Sequence, residues 1–300
     1  MNGSLGRDKV WNQQIWSDID KAVQEEVGRI RVAQKVFPST VVNNVLPVCI
    51  SRTVPFGPKS APPEDPAPVD DEFRPFFEIS RDFVLTQAQV DGEEDAHLAP
   101  SFARLAASVM ANAEDRILFL GAGGIPAAVK VANRPAIPPG FVKEADNYKP
   151  FTLVEDSSDD DLGEILTAVS DGMAKLQERD QPGPYALFLP PYRYAQAFEQ
   201  PEPGLLQTPG DQIPHVVTGG FYMVNSLAID KSKKLPNPPT NDNGILVSLG
   251  GEPTKIILGA DAMTAFTFAD EKGNYHFRVF ERIQMVVRDG RAFQILEFNL

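Results

Sequence analysis

Apolar side chains recur at three- and four-residue steps between Trp11 and Ala33, with Trp16, Ile19, Val23, Val27 and Ile30 on one stripe and acidic or amide residues around the rest of the turn. This spacing predicts a helix with one buried face, which Gly28 weakens slightly and Pro38 ends. The residues before it, 1–9, read as a flexible tail. A Val- and Ile-rich strand is expected over 41–50, followed by a stretch from Pro55 to Pro75 that contains Pro62-Pro63 and Pro66-x-Pro68 and excludes helix. From Phe76 to Leu85 the period drops to two, with Phe77, Ile79, Arg81, Phe83 and Leu85 on one face. The reading is an extended hairpin whose far side is this second strand.

Helical spacing returns over 100–120, opened by Pro100 in the first turn, with Phe102, Leu105, Val109, Ala113 and Ile117 as the expected buried stripe and Ala106, Ala107, Ser108 and Ala111 allowing close packing. A third helix is expected from Asp161 to Leu176, with Leu162, Ile165, Leu166, Val169, Met173 and Leu176 inward and Asp159, Asp160 and Asp161 favouring its N-terminus. After Pro182-Gly183-Pro184 come a short strand, 185–189, and a short helix near 192–198. Segments 199–220 and 236–244, rich in Pro, Gly and polar residues, read as loops. The remainder reads as strands at 245–249, 254–258, 263–268, 275–287 and 292–298, punctuated by Gly250-Gly251, Gly273 and Asp289-Gly290. With no internal repeat and no regular strand–helix alternation, the fold class is α+β with intermingled segments.

Composition narrows the function classes. A chain of 300 residues, 42% hydrophobic, can bury a substantial core without staples. Cys49 is its only cysteine, which excludes an intrachain disulfide or a thiolate cluster. The formal charge of −13 disfavours nucleic acid as a partner; the short basic run Lys231-Ser232-Lys233-Lys234 reads as a solvated loop. No apolar run reaches membrane-spanning length and no secretory signal pattern opens the chain, so the expected location is the cytoplasm.

Motifs for chemistry are sparse. His97, His215 and His276 are far apart and none has a metal-ligand spacing. Gly121-Ala122-Gly123-Gly124 follows an apolar run, but Pro126 replaces the third glycine of a dinucleotide fingerprint and the preceding residues continue a helical stripe. There is no nucleophile elbow and no P-loop. The three aspartates at 159–161 read as helix capping before cation binding.

The segment Asn112-Ala113-Glu114-Asp115-Arg116-Ile117-Leu118-Phe119-Leu120-Gly121 resembles one found in encapsulins, also filed as linocin-type bacteriocins. So do Gly183-Pro184-Tyr185-Ala186-Leu187-Phe188-Leu189 with Tyr192, Leu246-Val247-Ser248-Leu249-Gly250-Gly251 with Leu258-Gly259-Ala260-Asp261, Phe277-Arg278-Val279 with Glu281, and the N-terminal pattern from Val10-Trp11 to Ile19-Asp20. The matches occur in order along nearly the whole chain. The resemblance implies the tailed-bacteriophage major capsid protein fold of the Hong Kong phage type. Its parts would be an N-terminal helix (1–40), an extended arm with flanking strands (41–90), a peripheral domain (91–131 and 246–300) and an axial domain (132–245). It also implies a shell subunit that self-assembles into a closed icosahedral compartment around a cargo enzyme bearing a short docking peptide, with no catalytic site of its own. Under the resemblance, Ile19, Val23, Val27 and Ile30 become candidates for the cargo-docking groove, and Asp211 and His215, in the loop 199–220, for a pore at the five-fold axis. No cofactor carries over: the flavin-stacking tryptophans of some members have no counterpart, since Trp11 and Trp16 both fall in the first helix. The arm and the loop 231–244 are longer than the family pattern. The competing readings are a phage capsid protein packaging DNA and a protease or bacteriocin.

Overall fold

The computed structural model describes residues 5–42, 48–52, 70–146, 151–152, 161–199, 207–227 and 241–299. The proline-rich centre of the arm, Asp159 and Asp160, and the basic run 231–234 lie outside the described residues.

The helices are α1 (Gln13–Ile30), α2 (Ala33–Val36), α3 (Gln87–Asp91), α4 (Glu93–Ala96), α5 (Leu98–Leu120), α6 (Phe141–Asp146), α7 (Asp161–Gln177), α8 (Pro191–Gln196) and α9 (Pro209–Val216). The strands are β1 (Ser39–Val41), β2 (Val48–Arg52), β3 (Asp70–Arg74), β4 (Phe77–Thr86), β5 (Lys130–Ala132), β6 (Phe151–Thr152), β7 (Tyr185–Leu189), β8 (Gly220–Met223), β9 (Asn241–Ser248), β10 (Thr254–Ala269), β11 (Asn274–Val287) and β12 (Phe293–Asn299). They form two five-stranded sheets, β1-β10-β11-β4-β5 and β6-β12-β9-β7-β8, and a separate two-stranded ladder of β2 and β3.

Helix α1 starts where Asn12 accepts a hydrogen bond from the Ile15 amide at 3.0 Å, so Trp11 precedes the helix rather than lying in it. The Trp11 ring stacks on Phe277 at 4.9 Å and meets Trp16 edge-on at 5.2 Å, pinning the start of α1 to β11. The expected stripe is buried: Trp16, Ile19, Val23 and Val27 enter the main core. Helix α5 spans the expected residues, with Ala113 and Ile117 buried as expected, but its first half turns a different face inward. Its buried face is Ala99, Ala103, Ala106, Ala107, Met110, Ala111, Ala113 and Ile117, whereas Leu105 is 68% exposed and Phe102 and Val109 are partly covered. Small side chains let the backbone of α5 approach α1 and the sheet closely, and that packing outweighs burial of the larger residues on its flank. Helix α7 buries Ile165, Val169 and Leu176 as expected, against Leu246 and Leu296.

Strand β4 alternates as its period predicts, but its partner is β11, paired antiparallel from Phe77↔Ile283 to Thr86↔Asn274. It is thus an interior strand of the first sheet. The arm hairpin is made instead by β2 and β3, in register from Val48↔Arg74 to Arg52↔Asp70. The two strands expected at 254–258 and 263–268 are one, β10, whose pairing with β11 shifts register between Leu258 and Ala260 and again before Met263. Such bulges re-aim side chains. Among the closing strands, β10 and β11 belong to the first sheet, while β12 pairs with β9 in the second, so the C-terminal segment is divided between the two sheets. Both expected loops are shorter in the structure: α9 occupies 209–216 and β9 begins at Asn241.

The sheets share a core through a run of aromatic contacts, Phe37–Phe141 at 4.7 Å, Phe119–Phe188 at 5.2 Å and Phe141–Phe293 at 5.3 Å. The glycine-rich turn after α5 closes this core. A Cβ on Gly121 (φ +66°) would lie 2.2 Å from the Pro139 carbonyl oxygen, and one on Gly140 (φ +91°) 2.3 Å from the Gly121 amide. The glycines permit two backbone segments to touch; no phosphate cradle is needed to explain them.

Candidate functional site

Arg31 ends α1, its backbone leaving the helix at ψ 128°. It continues the apolar stripe of Ile19, Val23 and Val27, which carries its guanidinium into the interior. There Nε donates to Glu114 Oε2 at 2.5 Å, Nη2 donates to Glu281, and Nη1 reaches Asp261 Oδ1 and Gln34 Oε1 at 3.5 Å each. Gln34 Nε2 donates to Glu114 Oε1 at 2.7 Å. The neighbouring Asp115 accepts the Val32 and Ala33 amides at 2.9 and 3.0 Å, satisfying two free donors at the start of α2. The Glu114 and Glu281 side chains are each 1% exposed. The register shift in β10 places Asp261 at the rim of the cluster, where its Oδ1 also accepts the Ala262 amide at 2.7 Å.

One cation therefore binds together the α1–α2 corner, α5, β10 and β11. Burying the carboxylates costs more than the single guanidinium returns, so the Glu114 carboxyl is pushed above its ordinary range, burial leading and Arg31 opposing. Asp115 is pushed up to about 7, by burial first and by the neighbouring Glu114 second, against the Ala33 and Val32 hydrogen bonds. Sequence reasoning passed over Arg31 and met Glu114, Asp115, Asp261 and Glu281 only as letters in separate motifs. The legible signal was phase: Arg31 and Glu114 both fall on the buried stripes of their helices.

The residues singled out from sequence sit elsewhere. Ile19, Val23 and Val27 are 0, 0 and 1% exposed and are used in the subunit's own core, so they leave no free surface for a docked peptide; Ile30 is half-buried. The solvent-facing apolar strip beside α1 is Phe102, Leu105 and Val109 of α5, edged by an ion pair between Arg104 and Glu25 at 2.8 Å. Asp211 and His215 lie on α9, not in a loop. Asp211 is part of a capping box, accepting from the Thr208 amide at 3.0 Å and its hydroxyl at 2.9 Å, which holds its carboxyl below the usual range. His215 is exposed in the last turn of the same helix. His97 is an exposed left-handed residue between α4 and α5, and His276 stacks on Phe268 at 4.3 Å with Asp270 3.3 Å from its Nε2. Among the described residues no group of three or more His, Cys, Asp or Glu is placed to hold a metal, and no helix is long and apolar enough to cross a membrane.

A family model described as "Encapsulating protein for peroxidase" matches residues 11–284. The chain is 26% identical to the type 1 encapsulin shell protein EncA of Myxococcus xanthus over 225 residues, covering 73% of this chain and 67% of that one. In structure it resembles the virus-like particle from Pyrococcus furiosus, with a TM-score of 0.64 at 15% identity over 94% of this chain and 99% of that one. The capsid of Myoviridae Phage XM1 matches with a TM-score of 0.58 at 11% identity over 90% and 92%. The holo-SrpI encapsulin complex of Synechococcus elongatus matches with 0.53 at 10% over 89% and 87%. These structural likenesses show the tailed-phage capsid fold, with its N-terminal helix, extended arm, peripheral and axial domains. The motifs that meet around Arg31 lie within the matched region, and the chain belongs to the encapsulin family, as a self-assembling shell subunit of a protein nanocompartment.

Proposed function

We propose that this subunit closes into an icosahedral shell in the cytoplasm, encloses a protein cargo held by a short docking peptide, and contributes no catalysis itself. The observation that carries the reading is the arm. Among the described residues β2 and β3 pair with each other and with no further strand, and a two-stranded hairpin is marginal in water, so its stability is best supplied by lying on a neighbouring copy. The first sheet with α1 and α5 forms the body of the peripheral domain, and the second sheet with α7, α8 and α9 that of the axial domain.

With the α1 stripe used internally, the docking peptide is assigned to the surface where α1 meets α5, on Phe102, Leu105 and Val109, with Ile30 at the far end of α1. An apolar strip bordered by charged residues suits a short peptide with spaced apolar anchors. Asp211 and His215, exposed on α9, would face the pore at the five-fold axis. The test is purification of shells from the native cell with wild-type subunits and with a Leu105→Asp variant. Assembled variant shells with strongly reduced internal protein support the docking surface; equal cargo per shell overturns it. Shells filled with DNA, read from their ultraviolet absorbance ratio and nuclease-protected content, would instead support the capsid reading, against which the charge of −13 stands.

A further inference from the structure

We infer that the junction between the first helix and the body of the subunit is a proton-dependent latch, closed most firmly when a carboxyl of the Arg31 cluster is protonated and opening more readily as pH rises toward neutrality. The basis is the charge inventory of a closed site. From α5 come Glu114 and Asp115, from β11 Glu281, and from the rim of β10 Asp261; the α1–α2 corner supplies Arg31 and the neutral Gln34. Other nearby cations are engaged elsewhere. Lys35 is exposed and donates to the Arg29 carbonyl at 2.8 Å, and Arg116 donates through Nε to the Gly124 carbonyl at 3.2 Å. Fully ionised, Glu114, Glu281 and Asp115 would set three buried negative charges against one guanidinium, and a buried Glu281 oxygen, Oε1, also lacks a hydrogen-bond partner. Taking up a proton is the least costly way to relieve that imbalance.

The direction follows from linkage. Asp115 has an ordinary value of 3.8 and is pushed up to about 7 when the corner is closed. The closed state therefore binds the proton more tightly than the opened one. Its advantage is complete below the ordinary value and is lost as pH rises through the closed-state value. Between those limits the opening equilibrium gains up to about tenfold per pH unit, and it levels off above neutrality. Glu114, also shifted upward, acts in the same direction. What opens is the corner bearing Val32 and Ala33, so the hinge frees the C-terminal end of α1 while Trp11 and Trp16 hold its start.

The test is hydrogen exchange of the full-length protein from pH 5 to 8.5, corrected for the intrinsic pH dependence of exchange and read in peptides spanning 28–37, with a peptide spanning 185–189 as control. The latch predicts protection at 28–37 that falls steeply toward pH 7 and then flattens, with little slope at 185–189. Asp115→Asn should reduce the slope markedly, leaving only the part that Glu114 carries, and Glu114→Gln should move the levelling-off to lower pH. A flat profile in the wild type overturns the inference, as does a slope left unchanged in Asp115→Asn. Should a variant not fold, the wild-type profile and its contrast with 185–189 decide alone.

Discussion

Replacing Arg31 with methionine keeps much of the side-chain volume and removes the one cation, among the described residues, bonded to Glu114 and Glu281. Both carboxylates are then buried without a counter-charge. Breaking a buried ion pair by deleting one partner costs about 3–5 kcal/mol, roughly two to nearly four powers of ten in the folding equilibrium. The cost must depend on pH. An unpaired buried carboxyl has its folded-state pKa raised, so the deficit of Arg31→Met is largest near pH 8 and shrinks toward pH 5, where the acids are neutral at less cost. The assay is guanidinium unfolding at matched subunit concentration, because assembly adds to apparent stability, followed by circular dichroism at pH 5 and pH 8. Replacing Arg31, Glu114 and Glu281 together by apolar residues of similar volume should recover most of the loss. A variant as stable as the wild type at pH 8, or a deficit unchanged between the two pH values, would refute the view that Arg31 is the counter-charge that holds this joint together.

Glu93 accepts the Leu98 amide at 3.2 Å and the Ala99 amide at 2.9 Å, so Glu93→Ala should lose about 1–2 kcal/mol in denaturant unfolding through an uncapped α5; an unchanged midpoint would show the cap to be dispensable. Gly121→Ala should cost more than ~3 kcal/mol or abolish soluble expression, since the methyl group meets the Pro139 carbonyl in a left-handed backbone. Gly123→Ala, whose Cβ would meet nothing within 4 Å, should be nearly neutral in the same expression and melting assays. Excising the arm, residues 48–74, and bridging the gap with a short Gly-Ser linker should leave a folded, unassembled subunit, since among the described residues β2 and β3 pair with no strand but each other; intact shells in electron micrographs would contradict the role given to the arm.

What could be read in advance follows the range of the interaction. Helix α1 and helix α7 lie close to their expected bounds because local periodicity specifies them, and strand β7 because a continuous apolar run after Pro182-Gly183-Pro184 does. The alternation of β4 was plain, but its partner β11 is some two hundred positions away, and nothing local indicates that pairing. Helix α5 lies where its spacing places it, and Ala113 and Ile117 are buried as expected, but Leu105 is not, because alanine packing rather than side-chain size chooses the inner face of its first half. Helix α9 was hidden by the Pro and Gly around it, although Thr208-Pro209-Gly210-Asp211 is a readable capping box. Asp261 looked like a residue between two strands and is instead aimed by a bulge within one. The Arg31 cluster needed all of these long-range placements at once, so only its stripe phase was visible beforehand.

The account rests on assembly, and the most direct measurement is electron microscopy of the purified full-length protein together with its sedimentation. Closed shells of uniform diameter, sedimenting as a single large species, are the predicted result. A chain that stays monomeric at micromolar concentration and shows no particles would contradict it.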